Sequence, residues 1–317
     1  MIMRRSIVSR IPMIRTGLLL AISVLIASGC GMFSSTRRET KLLYKGVGGS
    51  SGTCQKVMAA LPFENDVRWA ETDLNAFFAQ ELKRAIEREC SDVNPILPGS
   101  PGFPARFNEP VRRADGVLDS ASLASAGQAS GINLVLSGRL VGIRHVTEDR
   151  GMLWFAKVVH LARIQLEVAI YHTGTGAKVF DRNVFHDIEI TETDGGLIDA
   201  REMPKNIPLD AALTEVAEAM GKAAHRVIKY IPWEGYVISV EGGRVVLSAG
   251  ESCGLKKGRE LKVYTVEKVE VDETGQHFFS PGPVAGRITV TAVHSDRTEA
   301  VIKDGGPILP GSVVRVK

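Results

Sequence analysis

Alternating apolar and polar positions predict a long β-hairpin in the middle of the chain. One face of the strand predicted over residues 154–172 is apolar and consists of Val158, Ile164, Leu166, Val168 and Ile170. The opposite face carries Arg163, Gln165, Glu167 and Tyr171. The Thr-Gly-Thr-Gly sequence at residues 173–176 predicts a turn into a partner strand over residues 177–190. Shorter apolar runs predict two more strands, over residues 55–63 and 132–142.

Apolar residues spaced three and four apart predict helices on both sides of this hairpin. The first helix spans about residues 67–89, with Asn65 or Asp66 as its N-cap. A short helix rich in alanine and serine is predicted over residues 121–129. A longer helix runs from residue 209 to about residue 230 and is ended by a proline. The stretches in between are predicted as a loop and a loosely structured segment, at residues 94–118 and 191–208.

The last 85 residues have a different pattern, one typical of a small β-barrel. Short valine-rich stretches, several of them separated by glycine-containing turns, lie at residues 236–240, 244–249, 260–271, 284–294, 299–303 and 312–316. Strands at this spacing favour a closed barrel, because closure removes exposed sheet edges. The predicted fold class is therefore α+β: an α/β sandwich domain over residues 53–231, then a small all-β barrel over residues 233–317.

The N-terminus has the pattern of an export signal. Four arginines lie within residues 4–15, and residues 17–26 form an apolar run. Ten apolar residues are too few to span a bilayer, which takes about 20 residues in a helix. The pattern is typical of a secretory signal peptide.

The residues that follow the apolar run resemble a bacterial lipobox. Residues 26–30 read Ile-Ala-Ser-Gly-Cys, with Ala27 where leucine is usual. The resemblance implies a signal peptide over residues 1–29, acylation of Cys30 with diacylglycerol and palmitate, and a lipid-anchored tether over residues 30–52. Gly31 in place of aspartate implies sorting to the periplasmic side of the outer membrane. The alternatives are an ordinary secretory peptide with a chance cysteine, and a twin-arginine signal.

The charge distribution argues against a nucleic-acid partner. The whole chain has a formal net charge of +3, but residues 1–29 hold four arginines and no acidic residue. The remainder therefore carries a net charge of −1 and has no basic stripe.

Three cysteines remain once Cys30 is assigned to the lipid. Cys54 begins the first predicted strand and Cys90 follows the first predicted helix. The strand and the helix each travel about 30 Å, so an antiparallel packing would bring both cysteines to the same end. This predicts a Cys54–Cys90 disulfide, with two buried free thiols as the alternative and Cys253 unpaired.

The sequence contains no recognisable catalytic or metal-binding motif. No two of the seven histidines have a spacing typical of zinc sites. Residues 191–196 have some likeness to a calcium loop, but the first and twelfth ligand positions of such a loop would be Ile190 and Arg201, which do not bind calcium. Neither a nucleophile elbow nor a Walker sequence is present. We therefore expect no catalytic residues, no metal, no cofactor and no enzymatic activity.

Short motifs in the two predicted domains resemble bacterial envelope proteins. Three motifs of the predicted sandwich domain resemble a periplasmic family. They are residues 61–64 (Leu-Pro-Phe-Glu), 136–140 (Leu-Ser-Gly-Arg-Leu) and 171–176 (Tyr-His-Thr-Gly-Thr-Gly). That family includes the N-terminal domain of TolB, the curli secretion-channel lipoprotein and a lipoprotein activator of penicillin-binding proteins. Four motifs of the predicted barrel resemble the C-terminal barrel of flagellar assembly protein T. They lie at residues 235–240, 254–258, 286–290 and 310–314.

The resemblance implies a scaffold rather than an enzyme. Flagellar assembly protein T helps to build a periplasmic ring around the flagellar basal body, although its additional N-terminal domain has no counterpart here. The expected partners are the membrane, through Cys30, and envelope or basal-body proteins, with assembly into a homo-oligomer as a further expectation. The alternative functions are regulation of a cell-wall synthase and a curli-type secretion component. The residues of the partner-binding surface are not identified by the sequence.

Overall fold

The computed structural model describes residues 54–67, 69, 73–151, 157–271 and 277–316, and these belong to one compact unit. The predicted signal peptide at 1–29, the acylation site Cys30 and the tether at 30–52 lie outside the described residues and stay predictions. Within the described ranges, no helix has the length and apolar character needed to cross a membrane.

The first half of the described chain is built on a mixed sheet. Its strands are β1 (Lys56–Ala60), β2 (Glu64–Asn65), β3 (Val93–Ile96), β4 (Leu134–Arg150), β5 (Lys157–His172) and β6 (Lys178–Ile190). They lie in the order β3-β1-β4-β5-β6, and β2 pairs with β4 beside this path. β1 is parallel to β3 and β4, whereas β4, β5 and β6 are antiparallel neighbours. The turn between β5 and β6 is therefore the predicted hairpin turn.

Among the described residues, four α-helices accompany the sheet: α1 (Leu74–Glu89), α2 (Ser120–Ala129), α3 (Glu192–Asp199) and α4 (Leu209–Ile228). Helices α1 and α4 pack closely, since a Cβ on Gly221 would lie 2.8 Å from the Cβ of Ala85. The buried Lys56 fixes the end of α4, because its ammonium donates to the carbonyl of Ile228 at 3.2 Å and to Asp92 at 2.6 Å. Helix α3 lies on β4 and β5, and α2 contacts both the sheet and the barrel.

The C-terminal part is a closed antiparallel barrel, as the sequence predicts. Its strands are β7 (Gly235–Glu241), β8 (Arg244–Leu247), β9 (Glu260–Val271), β10 (His277–Val293), β11 (Thr298–Gly305) and β12 (Val313–Val316). Around the barrel they follow the order β10-β11-β8-β7-β12-β9. The α+β fold class is confirmed.

Helix α1 begins later than predicted. It starts at Leu74, and its N-cap is Asp73, whose side chain accepts from the Ala76 N–H at 3.3 Å. The predicted cap Asn65 accepts instead from the Val67 N–H at 2.8 Å and forms a local turn at the end of β2. A side chain that accepts from the N–H two residues further on closes an Asx turn and caps a helix only where the helix follows at once, but this helix begins at Leu74.

Several strands also differ from the prediction, among them β3 and β4. β3 lies inside the segment predicted as a loop, and its Pro95 is tolerated because an edge strand does not need every backbone N–H. β4 continues to Arg150, well past the predicted end at residue 142. Its charged distal part is held as strand by pairing with β5, where Glu148 accepts from Arg163 at 3.3 Å.

Helix α3 lies in the segment predicted to be loosely structured. A capping box begins it: the Thr191 side chain accepts from the Asp194 N–H, and the Asp194 carboxylate accepts from the Thr191 N–H. Two glycines within eight residues weaken the helical pattern that the prediction relied on.

The structure does not contain the predicted Cys54–Cys90 disulfide. Cys54, Cys90 and Cys253 are free and buried. Cys54 packs into the core on the barrel side of the sheet, whereas Cys90 follows α1, close to the charges of Asp92 and Lys56 on the helix side. The prediction considered the spacing along the strand and the helix, which does not give the face of the sheet on which each cysteine lies.

The sheet and the barrel share one hydrophobic core. Sheet residues Val57, Ala59, Val135 and Tyr171 belong to the same cluster as barrel residues that include Val237, Leu247, Val263, Ile288 and Val314. Tyr171, predicted on the polar face of its strand, is 4 % exposed because the barrel covers that end of the sheet. Val158, predicted on the apolar face, is 51 % exposed at the far end of β5.

Candidate functional site

A buried ion pair lies where the sheet meets the barrel. Glu234 stands between α4 and β7, and Arg315 lies on β12. Arg315 donates to Oε1 of Glu234 through Nε at 2.9 Å and through Nη2 at 2.6 Å. Glu234 is 2 % exposed and Arg315 8 %. The pair ties the segment that enters the barrel to the strand that ends it.

The second carboxylate oxygen of Glu234 faces the β5–β6 turn. The Tyr236 hydroxyl donates to Oε2 at 3.3 Å, and Nε2 of His172 lies 3.4 Å from it. Nδ1 of the same imidazole is 3.0 Å from Oγ1 of Thr175 in the turn. One carboxylate therefore contacts the barrel through one oxygen and the sheet through the other.

The electrostatics favour an ionised Glu234. Burial alone would raise the pKa of this carboxyl, but the charge and hydrogen bond of His172, followed by those of Arg315, outweigh it and lower the pKa to about 2. A buried carboxylate that keeps its charge needs partners that remain in place.

The β5–β6 turn is shaped to receive this carboxylate. A Cβ on Gly174 would lie 1.8 Å from Oε2 of Glu234 and 2.8 Å from the His172 ring, so only glycine leaves room at this position. The Thr173 hydroxyl donates to the carbonyl of Ile132 at 2.5 Å and lies 3.1 Å from the Tyr236 hydroxyl. The motif singled out as a fold signature is thus also the docking point of the barrel.

Asn133 connects β1 to the same junction. Its Oδ1 accepts from the Val57 N–H at 3.1 Å, and its Nδ2 donates to the backbone carbonyl of Glu234 at 2.5 Å. The side chain is fully buried. Close approach of the backbones continues at Gly131, where a Cβ would lie 1.8 Å from the carbonyl oxygen of Ser248 in the barrel.

This junction has the properties of a structural joint. The carboxylate of Glu234 and the hydroxyl of Thr173 are occupied by neighbours, and both residues are buried away from any substrate. General acid–base catalysis needs a titratable group within reach of a substrate proton. The arrangement therefore joins the two halves of the molecule.

A second polar cluster lies on the other part of the sheet, under α3. Nδ1 of His145 is 2.9 Å from Oδ2 of Asp199, and its Nε2 is 2.9 Å from Nδ1 of His160. The two histidines lie on adjacent antiparallel strands, two residues apart in register. Gly195 of α3 lies directly over the His145 ring, since its Cβ would come within 2.5 Å of Nε2.

The histidine cluster is a hydrogen-bonded chain rather than a metal centre. Within the described ranges, no group of three or more histidine, cysteine, aspartate or glutamate side chains is arranged to hold a metal ion. A zinc site needs at least three protein ligands around the ion. The cluster instead holds α3 on β4 and β5, through Asp199 on the helix and His145 on the strand.

A cleft with a volume of about 550 Å³ opens beside the junction. Its walls are the end of α2, the exposed side of two barrel strands and the turn after β10: Ala129, Ser130, Ile238, Val246, Asp296 and Arg297. Ile238 is 47 % exposed there. The lining combines an acid, a base, a serine hydroxyl and apolar side chains.

Sequence patterns did not indicate either polar cluster. Glu234 stands among Ile231, Trp233, Tyr236 and Val237, and a lone charge in such an apolar stretch is the signal that could have identified a buried carboxylate. His145 and His160 are 15 residues apart, so a search for helical ligand spacings could not pair them.

Comparisons with known proteins give no family. No protein-family model matches the chain, and no curated protein sequence matches it. Among solved structures, a hypothetical protein from Chlamydia trachomatis is 13 % identical over 55 % of this chain and 98 % of its own, with a TM-score of 0.36. The PelC dodecamer from Paraburkholderia phytofirmans is 11 % identical over 53 % of this chain and 87 % of its own, with a TM-score of 0.29. A lipoprotein from Neisseria meningitidis is 10 % identical over 46 % of this chain and 93 % of its own, with a TM-score of 0.26. At these values the comparisons assign neither a family nor a function.

Proposed function

We propose that the chain is a non-catalytic scaffold of the bacterial envelope, anchored to the outer membrane through acylated Cys30. The observation that carries the proposal is the buried joint of Glu234, Arg315 and His172, which locks the barrel onto the sheet. A rigid body on a lipid tether presents partner proteins with surfaces in a fixed arrangement. Relative domain motion, which many enzymes use to open and close a site, is opposed by this joint.

The absence of catalysis is part of the proposal. Its support is that the polar groups of the junction are engaged with one another, while the cleft beside α2 lacks histidine and cysteine.

The specific role we propose is assembly of the flagellar basal-body ring. Its support is the resemblance of the barrel motifs, at residues 235–240 and 310–314 among others, to flagellar assembly protein T. In this role the partners are basal-body proteins and further copies of this chain. The alternatives are regulation of a cell-wall synthase and a curli-type secretion component, which the sheet-domain motifs at residues 61–64 and 136–140 support.

The experiment that tests this role is capture of the native lipoprotein with its partners. Envelopes of the native host are solubilised in mild detergent, the tagged chain is isolated, and co-purified proteins are identified by mass spectrometry. We expect basal-body ring components. Cell-wall synthases without any flagellar protein would replace this role with the first alternative, and curli components with the second.

The lipid anchor is tested separately with Cys30→Ser. We expect the wild-type chain in the membrane fraction, with a mass that includes acyl chains, because buried methylenes each contribute about 0.8 kcal/mol to membrane binding. The variant should lose the acyl mass and its membrane association. The matched control is Cys90→Ser, which removes a buried thiol far from the signal and should remain acylated. Equal acyl mass in wild type and Cys30→Ser would refute the anchor.

A further inference from the structure

Two buried cysteines from distant parts of the sequence meet at the edge of the barrel. Cys54 lies two residues before β1, and Cys253 ends a short 3₁₀ turn between β8 and β9. They are 3 % and 2 % exposed and belong to the same hydrophobic cluster. The sequence alone gave no reason to pair them, because about 200 residues lie between them.

The backbone brings the two cysteines within bonding reach. The N–H of Gln55 donates to the carbonyl of Cys253 at 3.0 Å. This donor is attached to the carbonyl carbon of Cys54, and the acceptor belongs to Cys253 itself. Two covalent bonds separate each Cα atom from this contact, so the two residues lie side by side, as a disulfide with a Cα separation of about 4.4–6.8 Å requires.

The electrostatic surroundings of Cys54 include Cys253. Burial raises the pKa of the Cys54 thiol to about 11, with Arg259 lowering it and the charge on Cys253 raising it further. The pKa of Cys253 is raised by burial as well, and the nearby Gly250 backbone, Ser252 and Trp233 act in the opposite direction. Cys90 interacts with Asp92, Lys56 and Glu89 instead and takes no part in this pair.

We propose that Cys54 and Cys253, which are free thiols in the structure, are oxidised to a disulfide in the exported protein. The pairing rests on the export that the proposed function requires, since disulfides persist in the envelope and are rare in the cytosol. Each thiol loses its proton as the S–S bond forms. The two electrons reduce the disulfide of an envelope thiol oxidase to a dithiol, by exchange through a mixed disulfide.

The disulfide would fix the end of the tether to the barrel. Residues 30–52 end just before Cys54, so the covalent bond would transmit force from the lipid anchor to both the sheet and the barrel. Because both thiols are buried and poorly ionised at neutral pH in the folded protein, the bond forms before the barrel has closed over β1.

The test is a disulfide map of the full-length lipoprotein from host envelopes. Free thiols are blocked with N-ethylmaleimide under denaturing conditions, and the unreduced protein is digested with trypsin. Cleavage places Cys54 in peptide 46–56, Cys253 in peptide 245–256 and Cys90 in peptide 89–106. We expect a cross-linked species of the first two peptides and a maleimide-modified third. A maleimide adduct on both Cys54 and Cys253, or a cross-link to peptide 89–106, would overturn the proposal.

A second arm separates failure of the pairing from failure of export. The full chain is unfolded, refolded with a mixture of reduced and oxidised glutathione, and mapped in the same way. If the refolded chain contains the cross-link between peptides 46–56 and 245–256 but the protein from the cells has free thiols, the pairing is retained and export is rejected. Absence of the cross-link from both arms rejects the pairing itself.

The thermal effect of the bond provides an independent readout. Closing so long a loop should raise the melting temperature of the oxidised protein by about 10 °C over the reduced protein. Cys253→Ser should lose the difference between oxidised and reduced samples, and the matched variant Cys90→Ser should keep it. A difference that persists in Cys253→Ser would contradict the assigned pair.

Discussion

At the scale of single residues, Glu234 turns the connection between helix and barrel into a fixed joint. Removing a carboxylate from water costs several kcal/mol, and attraction to partners offsets this cost only with good geometry and further hydrogen bonds. Here the partners come from three places: Arg315 on β12, Tyr236 on β7 and His172 at the end of β5. The charge is therefore stabilised only when the barrel is docked on the sheet.

Replacing Glu234 by glutamine should destabilise the protein by about 3–5 kcal/mol, because Arg315 is left buried without a counter-charge. The measurement is the free energy of unfolding in urea. Asp304→Asn is the matched control, since Arg287 donates to Asp304 through Nε at 2.9 Å and Nη2 at 2.5 Å, but both side chains are 42 % exposed. The control should cost about 0–1 kcal/mol. Equal losses in the two variants would contradict the role of burial.

The same variant reports the pH dependence of the joint. Because the pKa of Glu234 is lowered on folding to about 2, its contribution to stability is complete above the ordinary carboxyl range and is lost as the pH falls toward 2. The difference in unfolding free energy between wild type and Glu234→Gln should therefore shrink between about pH 5 and pH 2. A difference that stays constant over this window would show that Glu234 is not held ionised.

The joint marks where prediction from sequence ends at this scale. Gly174 could be assigned to a turn from its Thr-Gly-Thr-Gly context, but its need to be glycine comes from Oε2 of Glu234, 60 residues further along the chain. The pairing of Cys54 with Cys90 was predicted from their spacing along the strand and the helix. That spacing does not give the face of the sheet on which each cysteine lies. In both cases the deciding contact is with the barrel, which local patterns do not record.

At the scale of elements, α3 shows a helix held by what it covers. Its capping box is local, but Gly195 lies against His145, which in turn hydrogen-bonds to Asp199 and His160. The sequence pattern missed α3 because two glycines weaken the helical signal, and the contact that requires one of them is with a strand some 50 residues earlier. Helix α4 and most barrel strands lie close to the predicted ranges because their patterns are local and regular, but β10 begins at His277, seven residues before the predicted start.

Gly195 and its neighbour Gly196 provide a matched pair of substitutions in this helix. Gly195→Ala should displace the His145 ring and loosen α3, because the new Cβ would lie 2.5 Å from Nε2. Gly196→Ala meets nothing within 4 Å and should stabilise the helix by up to about 1 kcal/mol. Hydrogen exchange of the α3 amides, measured by mass spectrometry, should become faster in the first variant and slower or unchanged in the second. Faster exchange in both would place the effect in the helix itself.

At the scale of the whole molecule, two predicted domains behave as one body. The sheet face that includes Val57 and Val135 packs into the same core as the barrel, and the polar joint lies at the edge of that core. The sequence could separate the two architectures, because strand periodicity differs from helix periodicity. It could not predict their docking, which depends on Glu234, Asn133 and Gly131, residues with no periodic pattern.

A shared core predicts a single cooperative unfolding transition for the full chain. Scanning calorimetry should give one endotherm whose calorimetric and van't Hoff enthalpies agree, with roughly 0.7 kcal/mol of enthalpy per folded residue. Glu234→Gln should lower the transition temperature without splitting the endotherm, because the apolar contacts of Trp233, Val57 and their neighbours still join the halves. Two separate endotherms in the wild-type protein would show independent domains. A scaffold that needs a fixed geometry would then have to obtain it from its partners, so this result would also remove the structural support for the proposed function.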